Sequence, residues 1–184
     1  KKNKAFPNQI LAVTFTNKAA KEMQLRVSKL LRKDATGLPW LGTFHSISAK
    51  LLRKHADAVG LKSNFSIIDQ DDQVRLIKNI CKAENVDIKK ISPKFILAII
   101  DKWKNKGFYP QDVILKRKDP LEKNFLSIYK IYQEKLINLN SADFSDLILH
   151  TVKMFEKYTD IAELYSKKFK YILVDEYQDT NFIQ

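Results

Sequence analysis

Apolar residues along this chain fall into two kinds of pattern, and the two alternate. Four short runs, at residues 10–16, 40–44, 65–69 and 171–174, are apolar almost throughout and show no alternation of faces. Such runs predict strands covered on both sides, as in a parallel sheet. After the first run, Ala20, Met23, Val27, Leu30 and Leu31 recur at helical spacing, with Thr16 or Asn17 placed to cap the helix start. After the second, Ile47, Leu51 and Leu52 mark the inward face of a helix over about residues 46–58. A strand leading directly into an amphipathic helix is the first half of a parallel unit.

Residues 71–139 break this rhythm and read as helical, with starts marked by Asp69 and Asp72, by Ser92-Pro93 and by Asp119-Pro120. Phe95 to Ile100 reads as a buried helix face. Leu121, Phe125, Ile128, Tyr132, Leu136 and Leu139 form one long apolar stripe. Loops are expected at about 60–64, 104–110 and 138–142. Beyond them, Asp143 and Asp146 are spaced for a reciprocal helix cap, and Phe144, Leu147, Val152, Phe155 and Tyr158 are expected to point inward. Asp160 and Glu163 repeat the capping pattern before Leu164 and Tyr165, and Lys167 and Lys168 suit the end of that helix. The order predicts an α/β protein. One parallel sheet is built from residues 1–69 and 143–184, and an all-helical insertion at 70–142 interrupts it.

Composition narrows the class without deciding it. With 45% hydrophobic and 29% charged residues over 184 positions, the chain is an ordinary globular sequence able to bury a core. Its net charge of +12 invites a nucleic-acid reading. Lysine supplies most of that charge, however, and lysine is the poorer residue for bidentate contacts. Basic residues crowd the first two thirds; residues 143–184 are net acidic. Of the helical block's cations, Lys102, Lys104, Lys106, Lys116, Arg117 and Lys118 are expected on a solvated face. A single cysteine, Cys81, excludes an internal disulfide and a thiolate zinc cluster. No apolar run approaches the ~18 residues of a membrane span. The first residues lack the apolar core of a secretory signal, so a cytoplasmic protein is expected.

The candidate chemistry sits at the ends of the predicted strands. Asp175 and Glu176 follow the apolar run 171–174, where open α/β sheets bind their ligands. One carboxylate there can hold Mg²⁺, and the other can orient or deprotonate a water for phosphoryl transfer. The same pair would also make an ordinary acidic turn. After the first strand, a helix N-terminus at Thr16 and Asn17 with Lys18 suits a phosphate, and Phe15 offers a face for a base. Burial of Phe15 in the core is the competing reading. His45, at the junction after Thr43 and Phe44, could donate to a phosphate or to local backbone. Gly37 to Thr43 is not a phosphate loop, because Gly42 is followed directly by Thr43 without lysine. His55 and His150 match no motif.

Three stretches together resemble the UvrD/Rep/PcrA-type superfamily 1 DNA helicases, over essentially the whole chain. Residues 174–181, Val-Asp-Glu-Tyr-Gln-Asp-Thr-Asn, are similar to that family's motif II, the Walker B element. Residues 14–20, Thr-Phe-Thr-Asn-Lys-Ala-Ala, resemble motif Ia, and residues 42–46, Gly-Thr-Phe-His-Ser, motif Ib. Asp143 to Leu147 match a signature that follows the family's inserted subdomain. The resemblance implies a RecA-like P-loop NTPase fold, motor domain 1A carrying helical subdomain 1B. It implies an ATP-dependent, 3′-to-5′ helicase of DNA repair or replication restart. Asp175 would hold Mg²⁺, Glu176 would activate water and Gln178 would belong to the catalytic set. Phe15, Thr16, Asn17, Lys18, Thr43, Phe44 and His45 would contact single-stranded DNA or its junction with duplex. No Gly-Lys-[Ser/Thr] occurs, so the resemblance places the phosphate loop upstream of Lys1 and the second RecA-like domain downstream. The piece alone is then expected to be inactive. A nucleotide-independent binding module on a decayed motor fold and a helicase–nuclease fusion are the alternatives.

Overall fold

The computed structural model describes residues 5–31, 38–88, 90–115 and 120–184. The side chain of Leu31, Gly37, the basic Lys116, Arg117 and Lys118, and the Asp119 helix signal lie outside them. Three parallel strands form the main sheet: β1 (Ile10–Thr14), β2 (Leu41–Thr43) and β5 (Tyr171–Val174), in the order β2-β1-β5. Val13 is the register point, opposite Gly42 on one side and Val174 on the other. Strand β1 stops at Thr14, so Phe15 and Thr16 lie in the bend before α1 (Asn17–Leu31), with Thr16 Oγ1 accepting from Ala19 N at 3.1 Å. Thr43 ends β2 and caps α2 (Phe44–Lys54) at once, its hydroxyl accepting from Ser46 N. Leaving no loop between strand and helix fixes the direction of His45.

The fourth predicted strand is a correction. Of residues 65–69, only β3 (Ser66–Ile67) is extended. It pairs in parallel with β4 (Ser141–Ala142), in a separate two-stranded sheet where a loop was expected. Phe65 supplies burial there together with Ala142 and Leu147, and Asn140 ties the same junction by accepting from Lys62 N at 2.7 Å and donating to Asn64 at 3.1 Å. Between these strands lie α3 (Gln70–Ala83), α4 (Pro93–Lys104) and α5 (Pro120–Asn138). Asp69 and Ser92 cap α3 and α4 as expected, accepting from Asp72 N and Phe95 N. Their apolar faces share one core that includes Ile77, Ile96, Ile100, Ile128, Tyr129 and Leu136. The ends of the expected stripes are exposed: Leu121 and Leu139, and Phe95, whose ring meets the edge of Phe125 at 6.0 Å. A second core, around Val13, Trp40, Leu51, Met154 and Tyr165, lies under the sheet.

Helices α6 (Phe144–Lys157) and α7 (Thr159–Lys168) return the chain to β5. Asp143 and Asp146 form the expected capping box, but Asp160 caps nothing: α7 begins at Thr159, and Tyr158 precedes it without a side-chain bond. The larger surprise is Lys104. Expected in solvent, it is 1% exposed, with Nζ 2.6 Å from Asp143 Oδ2 and 2.7 Å from Asp146 Oδ1. Tyr132 donates to Asp143 Oδ2 at 3.0 Å and Gln133 to Asp146 Oδ1 at 2.9 Å. The two remaining carboxylate oxygens serve the capping box, so all four are occupied.

Burial alone would depress the Lys104 ammonium, but the two carboxylates hold it above its ordinary value. Asp143 is pushed up to about 6 by burial and by Asp146, against the pull of Lys104. Burial would raise Asp146 too, yet Lys104 holds it below the usual carboxylate range. Removing the ammonium leaves two buried charges facing each other. Lys104→Met is therefore expected to cost about 3–5 kcal/mol near neutral pH. With that pull gone, both carboxyls rise further in the folded state, so the folded protein takes up protons as pH falls and the variant regains stability. Urea unfolding should thus show a smaller deficit at pH 5 than at pH 8, and a deficit that grows on acidification would contradict this account.

Candidate nucleotide and nucleic-acid site

Asp175 and Glu176 stand at the carboxyl end of β5, beside the carboxyl end of β1. Asp175 N donates to Val13 O at 3.0 Å, which extends the ladder by one residue and pins the Asp175 backbone. Its Oδ2 lies 3.4 Å from Thr14 Oγ1. Glu176 adopts the left-handed conformation, φ 50°, and turns the chain into a short 3-10 turn over Tyr177–Asp179. Gln178 Nε2 donates to Glu176 Oε2. The two carboxylates therefore face different neighbours: Asp175 is tied to the sheet, and Glu176 is oriented from its own turn.

The strand that carries them departs from expectation. Buried faces were predicted for residues 171–174, but Ile172 is 61% and Leu173 56% exposed. Strand β5 is an edge of the three-stranded sheet, and of its residues Val174, half-buried, packs against the core that α2, α6 and α7 share. By contrast, Ala12 and Val13 on the central strand are buried.

A cleft of about 480 Å³ opens between β1, α1 and the β5 turn, lined by Thr14, Phe15, Thr16, Arg26, Asp175 and Glu176 among others. It joins the residues predicted for phosphoryl chemistry to the first of those predicted for DNA. Phe15 is half-buried, its ring 5.4 Å from that of Phe44 and tilted against it. One face of the ring packs and part of it stays open. Thr16, Asn17 and Lys18 are exposed at the start of α1. Thr43 is buried and engaged in capping, so its part is to orient the helix that bears Phe44 and His45. His45 is half-buried, and burial lowers its pKa, which leaves the ring neutral with one N–H to donate.

One residue of this surface was misjudged. Phe144, expected to point inward, is 54% exposed and stacks on His45 with centroids 3.9 Å apart. It sits at the first position of α6, between the two carboxylates that Lys104 grips, and Ser145 donates to Asp101 Oδ1 from the same turn. Half-buried Tyr109 and buried His150, which no motif marks, pair at 2.6 Å between the Tyr109 hydroxyl and Nδ1.

A magnesium ion fits the residues here in a limited way. No group of three or more carboxylate, histidine or cysteine ligands exists among the described residues. Magnesium, however, commonly takes one or two carboxylates and fills its shell with water and substrate phosphates. Asp175, with one oxygen free of protein partners, fits that pattern.

The left-handed backbone at Glu176 stores strain of roughly 1–2 kcal/mol in a non-glycine residue. Glu176→Gly should relieve it at some cost in unfolded-chain entropy, and so raise stability by about 0.5–1 kcal/mol while deleting the carboxylate. Chemical denaturation measures this directly; a loss of stability would mean the Glu176–Gln178 bond outweighs the strain.

Residues 1–184 match the UvrD/REP helicase N-terminal domain. The chain is similar to the ATP-dependent DNA helicase PcrA of Staphylococcus epidermidis, at 43% identity over 97% of the chain and 24% of that protein. It is also similar to a probable DNA helicase II homolog of Rickettsia conorii, at 44% identity over 99% of the chain and 28% of that protein. The chain thus spans about a quarter of the length of these curated relatives. No helix among the described residues is long and apolar enough to cross a membrane. With a match along its whole length, the chain belongs to the UvrD/Rep helicase family and carries part of its α/β, RecA-like N-terminal domain.

Proposed function

We propose that this chain is the motif Ia, Ib and II portion of an ATP-dependent DNA helicase that moves 3′ to 5′ along single-stranded DNA in repair or replication restart. Residues 1–69 and 143–184 make part of the motor domain, and 70–142 make its helical subdomain. The observation that carries the reading is the single cleft in which Asp175 and Glu176 meet Thr14, Phe15 and Thr16. A carboxylate pair for nucleotide chemistry and an aromatic ring for a base stand on adjacent strand ends.

In this reading Asp175 holds Mg²⁺, which when bound supplies charge neutralisation for the phosphates of ATP. Glu176 accepts a proton from the attacking water, and Gln178 orients the Glu176 carboxylate. Phe15, Phe44 and Phe144 present ring faces to successive bases, with His45 bridging the last two. Thr16, Asn17, Lys18 and the His45 N–H face the phosphates, and Thr43 sets the pose of that helix start. Cradling of the ATP phosphates falls to a loop that this sequence does not contain. A nucleotide-independent module is the rival, and it gives no reason for a paired carboxylate held at the strand end.

Three variants of the full-length protein and the 184-residue chain by itself test this. Glu176→Gln should retain ATP binding but slow steady-state hydrolysis about 10²–10⁴-fold, the scale of a general base. Asp175→Asn should instead raise the Mg²⁺ concentration needed for half-maximal rate. The 184-residue chain by itself should turn over no ATP, and robust turnover by it would sink the assignment. Phe15→Ala should weaken single-strand binding by about 1–3 kcal/mol and uncouple hydrolysis from unwinding; unchanged affinity would place Phe15 in the core only.

A further inference from the structure

Three lysines from two helices converge on one indole, at the end of the sheet opposite Asp175. Trp40 leads into β2 and is 2% exposed. Lys50 and Lys54, one turn apart near the end of α2, hold their ammonium groups 4.9 and 5.3 Å from its ring centroid. Lys168, the last residue of α7, holds its own at 4.5 Å. The three charges therefore stand within about 10 Å of one another, a spacing at which like charges repel. Among the described residues no carboxylate forms an ion pair with any of them. The crowding is felt: burial first, then the charges of Lys54 and Lys50, lower the Lys168 ammonium from its ordinary value.

Local groups offset only part of this. Lys50 donates to Pro39 O. Helices α2 and α7 both end here, and each C-terminus offers about half a negative charge. One indole face attracts a cation, but it cannot neutralise three. What remains is an uncompensated positive patch on rigid elements, beside a hollow lined by Phe6, Pro7, Asn8, Gln9, Pro39 and Lys168.

We propose that Lys50, Lys54 and Lys168 form a second DNA contact, a phosphate site for a duplex arm, distinct from the single-strand surface at Phe15 and His45. It rests on the reading of the chain as part of a DNA helicase. Duplex DNA carries one charge per about 1.7 Å of axis, so several phosphates fall within the reach of this patch. Lysines on flexible stems suit that role, because they meet phosphates as point charges and read no base. Strand β2, three residues and about 10 Å long, separates the patch from Thr43 and His45, so the two surfaces face different parts of a substrate. Free polyphosphate presents the same chemistry, and the test separates the two.

The test uses the full-length protein with Lys50→Gln, Lys54→Gln and Lys168→Gln combined, and the corresponding triple arginine variant as a charge-preserving control. Binding of a blunt duplex, a poly-dT oligonucleotide and inorganic tripolyphosphate is followed by salt titration. Each phosphate contact contributes about 0.9 to the slope of log affinity against log salt. The triple glutamine variant should lose about 2–3 from the duplex slope and keep its poly-dT affinity, and the arginine variant should restore the slope. Lys54→Gln alone, which leaves the nearer two lysines on Trp40, should remove about 1. Phe15→Ala should do the reverse, weakening poly-dT and sparing the duplex slope. An unchanged duplex slope, or a loss confined to tripolyphosphate, overturns the proposal. If Phe15→Ala leaves poly-dT binding intact, the single-strand reading fails while the duplex slope still decides this one.

Discussion

The buried contact between Lys104 and the Asp143–Asp146 pair is the constraint on which the arrangement of this chain depends. A charge taken out of water is tolerated only with partners in near-ideal geometry. Here the ammonium comes from the end of α4 and both carboxylates from the start of α6. Those helices belong to sequence segments far apart, so the ion pairs define how the helical insertion sits on the rest. Apolar packing could hold the same surfaces together with many near-equivalent registers. A lysine bridging two carboxylates, with Tyr132 and Gln133 filling the other positions, accepts one.

The main sheet works differently. Its central strand is buried and short, and it does its positioning through what lies just past the strand ends. Thr14 reaches Asp175, Thr16 caps α1, and Thr43 caps α2. Three threonines at strand termini thus convert β-sheet register into the placement of a carboxylate and two helix starts. Strand β5 contributes backbone pairing more than burial, with Ile172 and Leu173 exposed and the Asp175 N–H carrying the ladder one residue further.

Much of this was legible in the sequence because local physics governs it. Capping by Asp69, Ser92 and Asp143 depends on residues three apart, and each was readable. Unbroken apolar runs located β1, β2 and β5. The errors share another cause, since they concern where an element lies relative to a distant one. Lys104 and Phe144 were assigned by character, a lysine outward and a phenylalanine inward, and both were reversed. The exchange is a single event. Lys104 is buried against two carboxylates, and the turn that supplies them directs its intervening aromatic residue outward. No periodicity within α4 or α6 encodes that meeting. The position of β3 failed for the same reason, since its partner Ser141–Ala142 lies 75 positions away and is two residues long.

That exchange also links the helical insertion to the proposed DNA surface. Phe144 stands between Asp143 and Asp146, and its ring lies on His45. His45 in turn follows Thr43, whose cap ties it to β2, and Phe44 beside it meets Phe15 at the end of β1. A continuous path of packed rings and caps therefore runs from Lys104 to the cleft that holds Asp175. Contiguity alone does not establish coupling, which requires an element with two arrangements. The first turn of α6 has the right character for one: its carboxylates are both needed by Lys104, and Asp143, pushed up to about 6, lies nearer to neutralisation than an ordinary aspartate. A movement of α4 that withdrew the ammonium would leave that turn with unpaired buried charge, and the turn would have to rearrange with Phe144 on it. The packing of α4 on α6 and the pose of Phe144 on His45 thereby rest on the same turn of the chain.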